Sequence, residues 1–281
     1  MTIPARSRTY LRPMLRRLFV LPLIAVLWSV LGPAQVAAVP AVAVHSARFA
    51  DGRAVEVVGD PATAATVVVL VPGVDTTAAN FDRGLGGVQR RAPAWQARQL
   101  AARVAALSTP SSGPVAVVAW LGYHPPRGIK LAAVREDAAA SGAAALLQFL
   151  RAVTAPRVVL VGHSYGSTVI GRAAARLDTA LAGRVTDVVA LGSPGMGVDR
   201  AADLHTGARI WAGSAAGDWT RRLPGVRILG AGHGTHPTDP AFGALPLPVD
   251  GVTGHDGYFV PGTASLDALA AIAIGDLDAA A

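Results

Sequence analysis

Gly162-His163-Ser164-Tyr165-Gly166 is the stretch of this chain best equipped to do chemistry. It places a serine in a five-residue turn with glycine on either side. The apolar run Val158–Val161 before it reads as a buried strand, and the alanine-rich segment after it reads as a helix. A strand-to-helix turn this sharp forces the serine backbone into a strained conformation, and a side chain two residues either side would collide with the neighbouring strand or helix. The spacing is that of a nucleophile elbow, with the Ser164 hydroxyl projecting beyond the end of the strand. A serine hydroxyl is a poor nucleophile at neutral pH, so a histidine must take its proton and a carboxylate must orient that histidine.

The elements needed to position such a serine are legible around it. Thr66–Val71 and Val115–Trp120 are continuous apolar runs of strand length. Further strands are expected at 187–191, 209–212 and 226–229, and a lead-in hairpin over 43–58 turns at Asp51-Gly52. Helices are expected over 95–107, 131–153, 167–181 and 265–274, whereas 75–89 reads as a mobile loop and 237–254 as irregular. Arg135, Glu136 and Asp137 read as the solvated first turn of their helix. Strands alternating with helices call for a mostly parallel sheet with helices on both faces, an α/β fold whose ligands bind at the strand ends.

Composition removes several classes of function. Of the 281 residues 52% are apolar, ample for a sizeable core, and there is no cysteine for disulfide, thiolate or iron-sulfur chemistry. The formal charge of +7 is concentrated at one end: residues 1–38 hold five arginines and no acid, which leaves 20 basic against 18 acidic residues in 39–281. No concentrated basic face with interleaved aromatics is visible, so nucleic acid is not an expected partner. No phosphate-binding glycine pattern follows a strand, and His233-x-x-His236 lies in a glycine-rich loop without acidic partners. Neither a nucleotide cofactor nor a metal is expected.

Residues 1–38 have the layout of an export signal: an arginine-bearing start, a 14-residue apolar run from Leu18 to Leu31, and the small-residue end Val36-Ala37-Ala38. The run falls short of the roughly 20 residues that cross a bilayer as a helix. The expected domains are therefore an export signal over 1–38 and one domain over 39–281, giving a secreted or cell-envelope protein. An uncleaved membrane anchor is the alternative, and the only membrane contact expected is through this segment.

With VPG at 71–73, WLGY at 120–123, GHSYGS at 162–167, LGSPG at 191–195 and HDGYF at 255–259, residues 47–281 resemble the α/β-hydrolase superfamily, and within it an actinobacterial branch. The loop after WLGY departs from the branch's pattern, with His124-Pro125 in place of an acidic residue and alanine. The resemblance implies the α/β-hydrolase fold and serine-dependent hydrolysis, with the catalytic residues ordered serine, acid, histidine along the chain. Asp218, in the loop beyond the second strand after the elbow, stands where the acid is expected; Asp187 and Asp199 are the alternatives. Three histidines follow Asp218. Position favours His233 or His236, and the family's H-x-x-Y-F segment favours His255, which is chosen as base. The oxyanion would be held by the backbone N–H groups of Tyr165 and Val74, with Asp75 as the alternative to Val74.

These residues fit attack on a small-molecule or lipid ester through an acyl-enzyme. Acyl transfer to an alcohol, a non-catalytic binding module and a membrane-tethered protein are the competing expectations.

Overall fold

The computed structural model describes residues 43–128, 137–228 and 231–280, all within one unit, Val42–Ala281. The segment read as an export signal, together with Arg135 and Glu136, lies outside the described residues. Among those described, no helix is long and apolar enough to cross a membrane.

Eight strands form one sheet in the order β1-β2-β4-β3-β5-β6-β7-β10. The hairpin of β1 (Val44–Arg48) and β2 (Ala54–Val58) is antiparallel, and β2 joins β4 (Val115–Leu121) antiparallel. From there on the sheet is parallel: β4, β3 (Thr66–Val71), β5 (Arg157–His163), β6 (Val185–Leu191), β7 (Arg209–Gly213) and β10 (Leu245–Pro246). Every residue of β3 is buried, as continuous apolar runs demand when both faces of a sheet are covered. The covering helices are α1 (Pro93–Leu107), α2 (Asp137–Ala152), α3 (Gly166–Ala174), the single turn α4 (Thr179–Ala182) and α5 (Ala264–Ile274). They pair across the two faces, α1 with α5 and α2 with α3.

Four expectations need correction. The strand expected at 226–229 is a two-residue β8 (Arg227–Ile228) that pairs antiparallel with β9 (Ala231–Gly232), outside the main sheet. Gly232 and Gly234, with φ of 91° and 82°, bend the chain at and just beyond β9. The sheet is extended instead by β10, from the segment read as irregular. The helix expected over 167–181 stops at Ala174, and the chain restarts at α4 behind Asp178, whose side chain accepts from Leu181 N. Within 75–89, read as a mobile loop, hydrogen bonds hold the chain at Asp75, Thr77 and Asn80. Asn80 Oδ1 accepts from Thr77 N, Asn80 Nδ2 donates to Asp75 O, and Gln96 Nε2 donates to Arg90 O.

Candidate active site

Ser164 sits immediately after β5 with a φ of 56°, a left-handed conformation that non-glycine residues rarely hold. Both glycines of the elbow are there for space. A Cβ on Gly162 would stand 2.5 Å from Ser167 Cα, and one on Gly166 would stand 2.0 Å from Val71 O. Side chains at these positions would drive α3 away from β5 and β3. The turn is closed by Ser164 N donating to Leu191 O at 2.9 Å and Ser167 N donating to Ser164 O at 3.0 Å.

Asp218 leaves the end of β7 and is buried. His255 approaches from the segment before α5, and its Nδ1 lies 2.9 Å from each oxygen of Asp218. A carboxylate only accepts, so Nδ1 carries the hydrogen and Nε2 is left with the lone pair a general base needs. The same carboxylate accepts from Thr220 N at 2.9 Å, Thr220 Oγ1 at 2.7 Å and Tyr258 Oη at 2.5 Å. Burial alone would raise the Asp218 carboxyl; the hydrogen bonds and charge of His255, with the bonds from Thr220 and Tyr258, outweigh it and hold the group well below the usual carboxylate range.

A cavity of about 430 Å³ joins Ser164 and His255. Its lining includes Ser164, His163, His255, Gly73, Val74 and Trp219. The Ser164 side chain makes no hydrogen bond among the described residues, and its hydroxyl faces this space together with His255. Catalytic hydrogen bonds of this kind commonly tighten only when substrate is bound. Trp219 packs 4.9 Å from the His255 ring between centroids and walls one side.

The structure thus brings Ser164, Asp218, His255 and Val74 together at the strand ends, with Tyr165 N at the start of α3. The alternatives lie elsewhere. Asp187 is fully buried near the start of β6, bound to Arg157, Arg209 and Trp211. Asp199 is exposed. His236 is held by Leu223 O at 2.8 Å, and His233 packs edge-on against Tyr165 at 5.4 Å; neither lines the cavity. Asp75 N donates to Pro126 O at 2.9 Å, so its amide is committed and Val74 is the donor the loop leaves. In the segment 196–207, Met196 and Leu204 are buried and the 201–204 turn packs against α3.

Two further residues escaped the sequence reading. Tyr258 binds the acid directly, as above. His163 Nε2 donates to His255 O at 2.7 Å, and its ring lies 4.6 Å from the His255 ring. Burial first, then the neighbouring His255, push His163 down to about 4, so it is neutral near neutral pH. Both residues stand in the motifs quoted above, but a signal for their roles exists only once the two loops are placed together.

Comparison with known proteins bears on the whole of this unit. Two Mycobacterium tuberculosis proteins of uncharacterised function, from strains CDC 1551 and H37Rv, are each 29% identical over 269 aligned residues, covering 82% of this chain and 38% of theirs. The chain therefore spans well under half the length of these relatives. Among solved structures, the esterase LipW from Mycobacterium marinum aligns with a TM-score of 0.46 at 18% identity, covering 85% of this chain and 82% of its own. A predicted CIB-like hydrolase from Thermoplasma acidophilum aligns with a TM-score of 0.45 at 12% identity, covering 84% and 98%. The family profile described as alpha/beta hydrolase matches residues 49–228, more than half of the sequence and inclusive of Ser164 and Asp218, and the chain belongs to that family.

Proposed function

We propose that this protein is an exported serine hydrolase of carboxylic esters, acting through Ser164, His255 and Asp218. The observation that carries the reading is the Asp218–His255 pair, 2.9 Å apart, whose histidine lines the same cavity as a serine held at a φ of 56°. Ser164 Oγ attacks the ester carbonyl as His255 Nε2 takes its proton, and the tetrahedral oxyanion lies against the N–H groups of Tyr165 and Val74. His255 returns the proton to the departing alcohol, leaving an acyl-enzyme. Water, deprotonated by the same histidine, releases the acid and restores Ser164. Asp218 stays ionised throughout and orients the imidazole. Residues 1–38 direct the chain out of the cytoplasm, so the substrate is a small-molecule or lipid ester met in the cell envelope or outside.

A fluorophosphonate probe tests the chemistry. Labelling at Ser164, located by peptide mass spectrometry and lost in both Ser164→Ala and His255→Ala, is the expected result, with turnover of 4-nitrophenyl esters falling by about 10⁴-fold or more in Ser164→Ala. A folded protein that remains unlabelled sinks the reading. Product analysis with an added acceptor alcohol separates hydrolysis from acyl transfer, and the N-terminus of the mature protein tests export.

A further inference from the structure

Asp75 follows Val74 in the loop that leaves β3, and its φ is 60°. Besides it, only Ser164 and His205 hold a positive φ among the described non-glycine residues. Such outliers persist where the surroundings over-determine them, and at Asp75 they do. Its N–H donates to Pro126 O at 2.9 Å. Its carbonyl accepts from Asn80 Nδ2 at 2.8 Å, and its Oδ1 accepts from Gly128 N at 2.7 Å. Two of these three bonds tie the loop after β3 to the loop after β4.

The other end of the same short segment is tied to the same neighbour. Tyr123 Oη donates to Pro72 O at 2.6 Å. Residues 72–75 are therefore clamped at both ends against the loop after β4. Between the clamps the chain passes directly over the nucleophile: a Cβ on Gly73 would lie 2.7 Å from Ser164 Cβ and 3.1 Å from Ser164 Oγ. Val74 N–H, inside the clamped stretch, has no acceptor among the described residues.

We propose that Asp75 is a positioning residue that holds the Val74 N–H on the oxyanion, a role that rests on the acyl-enzyme reading above. A glycine would adopt this φ with less strain but would lose the bond to Gly128. An aspartate or asparagine tolerates the left-handed region better than other side chains and supplies the acceptor. The side chain is thus needed for the anchor, and the backbone strain is the consequence.

The test compares Asp75→Asn, Asp75→Gly and Asp75→Ala in the full chain, with 4-nitrophenyl butyrate as substrate and amide hydrogen exchange of peptides covering 72–78. Expected is a fall in kcat of about 100-fold in Asp75→Gly and Asp75→Ala with KM little changed, since a misplaced donor acts on the transition state. Asp75→Asn recovers to within about 3-fold of the parent, because Oδ1 is kept. Exchange over 72–78 speeds up in the glycine and alanine variants and returns towards the parent rate in the asparagine variant. Parent-like kcat in Asp75→Gly, or an Asp75→Asn as poor as Asp75→Ala, overturns the proposal. Should the parent protein escape fluorophosphonate labelling, it is the acyl-enzyme reading that fails. The exchange data then judge the anchor alone, and an unchanged rate in Asp75→Gly rejects it.

Discussion

Tyr258 donates its phenolic hydrogen to Asp218 Oδ2 across 2.5 Å, on the oxygen that also accepts from His255 Nδ1. The phenol is fully buried and accepts in turn from Ala215 N at 3.1 Å. Burial, and then the adjacent carboxylate, raise its own ionisation well above the usual tyrosine range, so it stays a donor throughout the working pH range.

Tyr258→Phe therefore removes one of the donors that share the negative charge of Asp218. The carboxylate then becomes less firmly oriented against His255, and kcat falls by about 10-fold, the scale of one hydrogen bond to a charged group. Steady-state kinetics of the variant beside the parent check this. A parent-like kcat would show that the phenol does not hold the pair in place.

His163 makes a prediction about stability rather than rate. Its folded value is lowered from 6.5 to about 4, by burial first and then by His255. As pH falls from about 6.5 the unfolded chain takes up a proton that the folded protein refuses, so stability is lost progressively down to about 4 and no further below it. That shift corresponds to up to about 3 kcal/mol. His163→Gln keeps a donor for His255 O and removes the titration. The difference between its urea midpoints at pH 7.5 and 4.5 should be smaller than that of the parent, and an equal difference would contradict a neutral His163.

What the sequence discloses here and what it hides divide along a physical line. The elbow is legible because close packing excludes every residue but glycine at 162 and 166, and β3, β4 and β5 are legible because they are covered on both faces and read as near-continuous apolar runs. β10 is hidden because two residues, Leu245 and Pro246, carry no period; its place is set by pairing with Trp211 and Ala212. The apolar content of 226–229 is the same whether it joins the sheet or a separate ribbon, and only the glycine turns beyond it decide. His163 and Tyr258 are unremarkable as isolated residues, and Asp75 reads as a spare donor, because what each does depends on a second loop the sequence cannot place beside it.

Asp187 supplies a contrast with Asp218. Burial raises its carboxyl, but hydrogen bonds from Arg209, Trp211, Thr186 and Arg157 outweigh this and leave it lowered. The stability it contributes is fully present above about pH 4 and is lost as pH falls through its lowered folded value. Asp187→Ala strands two arginines and should cost about 3 kcal/mol, the lower end for a broken buried pair because the Arg209 side chain is 40% exposed. The protein that remains folded should keep its full kcat, since Asp187 lies near the start of β6 and the cavity lies beyond its end. Urea titration alongside kcat per folded molecule separates the two, and a selective loss of kcat would return Asp187 to the list of candidate acids.

Gly192 tests the placement of the acid from a different direction. It follows β6 with a φ of 51°, and a Cβ there would stand 2.5 Å from Asp218 Oδ2 and 3.0 Å from His255 Nδ1. Alanine at this position meets a backbone cost of about 1 to 2 kcal/mol for the left-handed conformation, and its methyl must displace the carboxylate or the imidazole. Asp218 is held by Thr220 and Tyr258, so the imidazole is the part free to yield. Gly192→Ala should therefore separate His255 from Asp218, lowering kcat/KM by about 100-fold while the melting temperature drops by only a few degrees. Fluorophosphonate labelling of Ser164 should slow in proportion, because the activation of the serine depends on the same pair. Combined with Tyr258→Phe, the loss should fall short of the product of the two single losses, as both changes act on one carboxylate–imidazole unit. Parent-like kcat/KM in Gly192→Ala would mean that the 2.9 Å Asp218–His255 contact is dispensable, and with it the assignment of Asp218 as the acid.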